Sequence, residues 1–268
     1  RAVEIPEGER SPLPQLGPIS EPPEDSSKMM IDLGPSHPAM HGTIKMRVLL
    51  DGEDVEAIDV EPAYLHRGFE KSCENSTWTM VFPYTDRLNY VSPLINNNAY
   101  AAAVEKLFGF EIPERAKYCR TIAAELSRMS DHLTCVGAGT MELGAFTGML
   151  YLIEARDILW DAVEELCGAR LTVSYARIGG VVADLPDGFD ASLRQRLDRV
   201  SELMADVETL LTKNQIFLQR MKDVGVVSAR DAIDWGWTGP CLRSTGVAYD
   251  VRRSAPYEVY GRLNFDIP

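Results

Sequence analysis

Residues 147–167 read TGMLYLIEARDILWDAVEELC, and the fold follows from how that run is read. It contains no proline, and its one glycine, Gly148, lies at the start. Leu150, Ile153, Ile158, Trp160, Ala162, Val163 and Leu166 fall on more than one side of a 3.6-residue helix, and a helix that is apolar round much of its circumference belongs inside a protein. The expectation is a central helix with others laid against it. Downstream, Leu193, Leu197, Val200, Met204, Val207 and Leu211 recur at alternating steps of four and three, the seam of a helix packed on a neighbour. The seam is short for a coiled coil, so a bundle is expected. A shorter helix is expected over 215–222. Upstream, Pro113 suits the first turn of a helix whose apolar residues are Ile122, Leu126, Met129, Leu133 and Val136. Gly137, Gly139 and Gly144 are expected to loosen the chain after it. Another helix spans 94–108 and stops at Gly109. Residues 178–182 read as a short extended crossing and 185–188 as a turn.

In front of the helices the period changes. Residues 29–33 form a short apolar run, Ile44, Met46 and Val48 alternate, Asp51-Gly52 is a preferred hairpin pair, and 55–60 is a return strand. The loop between the first two strands reads GPSHPAMHG (34–42). Its two histidines have the i, i+4 spacing of a metal pair on a helix. Pro35 and Pro38 fix φ and push the residues before them out of the helical region, so the two imidazoles need not face the same way. Two readings stay open here: histidines that satisfy local backbone groups, or a loop that holds an imidazole out into a site. Residues 1–28, rich in Pro, Glu and Ser, read as a flexible arm. The expected organisation is α+β: the arm (1–28), a small antiparallel sheet module (29–92), a helical bundle (93–223) and a turn-rich segment (224–268).

Composition narrows the function. The 268 residues are 45 % hydrophobic, enough for a sizeable core, and carry a formal charge of −13. That charge disfavours nucleic acid, which needs clustered Lys and Arg. Five scattered cysteines with no C-x-x-C disfavour a disulfide framework or a thiolate metal site and fit a reducing compartment. No apolar run approaches a membrane span. The start at Arg1 and the end straight after an extended-looking run suggest a processed or truncated chain.

Four constellations could carry chemistry. The first is the histidine loop. The second, PYTDRLNY (83–90), gathers two phenols, a carboxylate and a guanidinium ahead of a helix; an Asp–Arg pair with interfacial tyrosines is the plainer reading. The third, LHRGFEK (65–71), is a charged turn without a specific meaning of its own. The fourth is Glu142 in MELG (141–144), either a surface residue or a proton-handling group, since a buried carboxylate has its pKa raised.

Taken in order, the motifs resemble the 49 kDa subunit family of respiratory complex I. GPSHPAMHG, YLHRGFEK, PYTDRLNY, AYAAAVEKLFG, ELSRMSDHL, ELGAFT, YARIGGVVADLP, GVVSARDAIDWGWTGPCLRSTG and YDVRRSAPYEVY carry the likeness from about residue 31 to 268. The family's chain runs on beyond this one. The resemblance implies a fold shared with the large subunit of nickel–iron hydrogenases. Where those relatives carry two metal-binding cysteines, this chain has Asn89 and Ser92, and an amide and a hydroxyl do not replace thiolates for nickel.

What the resemblance implies for function is specific. The chain would be the quinone-site subunit of a proton-pumping NADH:quinone oxidoreductase, not active alone. It would form the quinone headgroup cavity beside the terminal iron–sulfur cluster of a neighbouring subunit, with no metal of its own. His41 and Tyr90 match the pair that contacts the headgroup; imidazole and phenol are suitable proton donors for a reduced quinone. Arg87 matches an arginine beside the cluster. Glu142 stands where many members carry an aspartate that pairs with the quinone-site histidine. Thr172 stands where many carry a histidine near the cluster, and threonine cannot bind a proton there. That implies a lower, less pH-dependent cluster potential and a low-potential quinone such as menaquinone rather than ubiquinone; a redox titration of the cluster against pH decides it. Implied partners are the terminal-cluster subunit, the 30 kDa-type subunit and the membrane-arm subunit at the quinone channel. The implied location is peripheral, on the cytoplasmic face of the inner or plasma membrane, or the matrix face in mitochondria. Competing readings are a non-catalytic scaffold of the same fold and, less well supported, a membrane-bound hydrogenase large subunit.

Overall fold

The computed structural model describes residues 15–19, 27–37 and 42–267. Near the N-terminus β1 (Gln15–Leu16), β2 (Lys28–Leu33), β3 (Lys45–Asp51) and β4 (Asp54–Glu61) form one sheet in the order β1-β4-β3-β2. Both pairings within β2-β3-β4 are antiparallel, with Val48 opposite Ile31 on one side and Ile58 on the other. The hairpin turn is Gly52-Glu53, one residue later than Asp51-Gly52, with Gly52 at φ +62°. Part of the expected arm belongs to the sheet: β1 runs parallel to β4, Gln15 opposite Ala57. Arg47 Nη1 donates to the Ile19 carbonyl (2.9 Å), and the Ile19 amide donates to Asp59 Oδ2 (3.4 Å). Backbone pairing and these polar anchors hold 15–19 where apolar burial could not. The rest of the arm lies outside the described residues, apart from Ser27 and Lys28.

The helical part begins with α1 (Phe69–Glu74) and α2 (Phe82–Thr85), then α3 (Pro93–Phe108), α4 (Glu114–Glu142) and α5 (Phe146–Cys167). After a two-residue-strand hairpin, β5 (Ala176–Arg177) with β6 (Gly180–Val181), come α6 (Phe189–Leu211) and α7 (Gln215–Met221). Three short helices, α8 (Ala229–Asp234), α9 (Gly239–Arg243) and α10 (Val251–Ser254), complete the chain. The structure is α+β, a small sheet with a mainly helical remainder.

The run at 147–167 is the centre of the bundle. Leu152, Ala155, Leu159, Ala162, Val163 and Leu166 of α5 are buried against Leu126 and Leu133 of α4 and Val200, Leu203, Val207 and Leu211 of α6. Leu150 lies outside this core and is exposed. The α6 seam differs at one position: Leu203 is buried and Met204 is exposed, because steps of three, four and four follow the true helical period more closely than a strict alternation. The glycines 137 and 139 do not break α4, which runs on to Glu142. A Cβ on Gly137 would stand 3.5 Å from Leu152 Cβ, so this glycine lets α4 and α5 approach closely.

Arg120 of α4, 1 % exposed, ties the bundle to the segments after it. Its guanidinium bonds both oxygens of Glu105 in α3 (2.5 and 2.9 Å), Glu258 Oε1 (3.2 Å) and the carbonyls of Arg177 (2.7 Å) and Gly180 (3.1 Å). Every donor is used, which is what makes a buried guanidinium tolerable.

Candidate functional site

Residues 62–92 join the sheet to α3 as a series of short pieces. Ala63 takes a positive φ of 84° and accepts the His66 amide at 3.0 Å, and Gly68 at φ +59° starts α1. The chain then passes through a 3-10 turn at Trp78–Val81 into α2 and turns again over 86–92. These bends bring the charged turn LHRGFEK against PYTDRLNY. Together Leu65, His66, Arg67, Phe69, Glu70, Arg87, Leu88 and Tyr90 line an open depression of about 450 Å³. The two motifs, separate in sequence, share one wall. Tyr90 is 59 % exposed, with its phenol available to a molecule in the depression.

The buried side of the same segment is a set of polar pins. Asp86 is buried, and its Oδ1 accepts from Arg87 Nη1 at 3.2 Å. Burial pushes the Asp86 carboxyl above its usual range, and the adjacent guanidinium opposes that shift. Arg87 Nη1 also donates to the Pro83 carbonyl at 2.8 Å, which fixes the cation over the end of α2. The Thr85 hydroxyl donates to Asn97 Oδ1 (2.7 Å), and Asn97 Nδ2 donates to the Val173 carbonyl (2.9 Å). One amide thus ties the segment that carries Arg87 to the segment that carries Thr172. Thr172 itself is exposed beside buried Val173.

The positions where hydrogenase relatives carry metal-binding cysteines are joined to one another. Asn89 Nδ2 donates to Ser92 Oγ at 2.7 Å and to Asp131 Oδ2 of α4 at 3.2 Å. Among the described residues no group of three or more His, Cys, Asp or Glu side chains is placed to hold a metal ion.

The remaining candidates fall elsewhere. His41 lies outside the described residues. The base of its loop is described: Gly34 has φ +87°, and a Cβ there would come 2.0 Å from the Ile44 carbonyl oxygen. Only glycine fits where the two ends of the loop pass so closely. His37 is exposed. Glu142 is exposed at the last position of α4 and does not line the depression, which matches the surface alternative for that residue. Sequence reasoning missed Asn97, Ser127, Asp131 and the Glu105–Arg120–Glu258 triad. A signal existed for the first: Asn96, Asn97 and Asn98 sit inside a helix where asparagine is a poor choice unless its side chain has work to do.

Comparison with known proteins agrees with this geometry. A family described as the 49 Kd subunit of respiratory-chain NADH dehydrogenase matches residues 142–268. The chain is 56 % identical over 266 residues to a D-type NADH-quinone oxidoreductase subunit, the second of two, from Anaeromyxobacter sp. (strain K), covering 97 % of this chain and 62 % of that protein. The chain belongs to the 49 kDa subunit family. The corresponding NADH-quinone oxidoreductase chain of Myxococcus xanthus (strain DK1622) is 54 % identical over 243 residues, 91 % of this chain and 59 % of its own length. That of Rhizobium meliloti (strain 1021) is 48 % identical over 243 residues, 91 % of this chain and 60 % of its own length. The chain therefore spans about three-fifths of the 49 kDa relatives that it matches. Among the described residues no helix is long and apolar enough to cross a membrane.

Proposed function

We propose that this chain supplies part of the quinone-reduction site of an NADH:quinone oxidoreductase, working as one subunit of the assembled complex. The observation that carries the proposal is the depression in which exposed Tyr90 stands with Arg87, His66 and Arg67. Two-electron reduction of a quinone to a quinol consumes two protons, and negative charge builds on the carbonyl oxygens as the electrons arrive. A phenol donates a hydrogen bond to such an oxygen, and two guanidiniums nearby favour the charge. Tyr90 and His41 are the proposed headgroup contacts, with Glu142 as a further proton-handling group. Arg87 and Thr172 are the proposed neighbours of the electron-donating cluster. The shared Asn97 pin supports that pairing, because it holds their two segments in one rigid unit.

The cluster, when bound by the neighbouring subunit, would supply the electrons. This chain supplies the wall and the hydrogen-bond donors. The proposed neighbours are the terminal-cluster subunit, the 30 kDa-type subunit and the membrane-arm subunit at the quinone channel, with the chain peripheral to the membrane on its cytoplasmic or matrix face.

The test is Tyr90→Phe in the full-length subunit of the assembled complex. Loss of the hydroxyl lowers kcat/KM for a short-chain quinone by on the order of 10²-fold, the usual range for a positioned proton donor. NADH oxidation by an artificial acceptor, which bypasses the quinone, stays intact. Unchanged quinone reduction in an intact complex would favour the scaffold reading.

A further inference from the structure

The turn that carries Tyr90 is fastened to α4 at two points one helical turn apart, and this bears on how the site is built. Ser92 is the N-cap residue of α3, yet its side chain makes no cap hydrogen bond. Its hydroxyl oxygen instead accepts Asn89 Nδ2 at 2.7 Å. The capping work passes to α4: the Leu94 amide, in the first turn of α3, donates to Ser127 Oγ at 3.2 Å. Four residues later, on the same face of α4, Asp131 Oδ2 takes the second hydrogen of the Asn89 amide at 3.2 Å.

A carboxylate can only accept, so Asp131 fixes which end of the Asn89 amide faces it. Both Asn89 hydrogens are then committed, one to Ser92 inside the turn and one to α4. Tyr90 follows Asn89 directly and has no buried face of its own to hold it.

We propose that Asp131 is a positioning residue for Tyr90: through Asn89, and with Ser127 one turn earlier, it clamps the 89–92 turn to α4 so that the phenol is presented to the depression. The inference rests on the reading of Tyr90 as a quinone contact. A displacement of about 1 Å at such a contact can cost on the order of 10²-fold in rate, so a residue that never touches the substrate can control it.

The test uses the full-length subunit in the assembled membrane complex, with a short-chain quinone as substrate. Asp131→Ala is expected to lower kcat/KM for the quinone by on the order of tenfold, with artificial-acceptor activity unchanged. Asp131→Asn is expected to retain most activity, because its carbonyl oxygen can accept the same bond. In combination with Tyr90→Phe, Asp131→Ala is expected to add nothing to the loss from Tyr90→Phe alone, since residues acting through one contact are not additive. Amide hydrogen exchange across residues 88–92 is expected to quicken in Asp131→Ala. Asn89→Ala breaks the same bond from the other end and replaces Asp131→Ala if that variant fails to assemble.

Full additivity in the double variant would overturn the proposal, as would unchanged quinone kinetics in Asp131→Ala when Tyr90→Phe is impaired. If Tyr90→Phe alone has no effect, the functional reading fails and the clamp is judged on exchange: quickened exchange supports it and unchanged exchange overturns it.

Discussion

The bundle of α4, α5 and α6 and the segment 62–92 are held together by opposite means. In the bundle, Ala155, Leu159 and Ala162 have no exposed area, and the three helices share one dry core. In the segment, Leu65, Leu88 and Tyr90 are more than half exposed, and order comes from directed bonds: Thr85 to Asn97, Asn97 to Val173, Asn89 to Ser92 and Asp131. Apolar burial scales with area and tolerates small shifts of geometry. A hydrogen bond between single groups does not, and for that reason it can aim a side chain. The molecule spends its apolar surface on stability and its buried amides on the position of the site.

Three changes would sharpen or break that contrast. The largest is Leu159→Ala, which opens a cavity where α5 meets its neighbours. It should destabilise the subunit by about 2–5 kcal/mol in denaturant unfolding while leaving the KM for quinone in the surviving complex unchanged. A raised KM would show that the core also sets the site. Next is Asn97→Leu, nearly equal in size but without the two bonds. It strands the Thr85 hydroxyl and the Val173 carbonyl, and a loss of about 1–3 kcal/mol is expected. Here the KM for quinone should rise as well, because the pinned segment carries Arg87 and leads into Tyr90. A stability loss with no kinetic change would erase the distinction between the two regions.

The smallest effect concerns pH. Burial raises the Glu258 carboxyl above its ordinary 4.5, Arg120 opposes the shift, Glu105 adds to it and Lys117 opposes it. A folded-state pKa above the unfolded one means that the folded chain binds the proton more tightly. The associated stability is fully present below about pH 4.5 and is lost as pH rises through the folded value. Glu258→Gln should flatten that part of the stability–pH curve, read from urea midpoints across the acid to neutral range. An unchanged curve would mean that the triad is as well compensated when charged as the apolar core around it.

Much of the fold was legible because periodicity is local. The helices at 94–108 and 147–167, the hairpin near Gly52 and the α6 seam all announce themselves in their spacing. The errors share one cause. Gly137 and Gly139 read as a break from local propensity, yet Gly137 sits where another helix packs against it. Met204 read as core because a strict alternation was imposed on a helix whose partners follow the true period.

The site was legible in a different way. Tyr90 and Arg87 could be picked out by resemblance, and the charged turn LHRGFEK was visible but had no meaning alone. That His66 and Arg67 share a wall with them depends on bends at Ala63 and Gly68. Nothing in the spacing of Asn89 and Asp131, or of Asn97 and Val173, says that they meet.

By itself the sequence determined which segments are helical, which strands pair and which family the motifs resemble, because hydrophobic period and turn chemistry act over a few residues. Tertiary structure alone decided which polar groups find each other across 42, 76 or 138 residues of chain. Those pairings depend on how close the packed helices come, and that distance is set by small residues such as Gly137, Ala155 and Ala162 at the crossings.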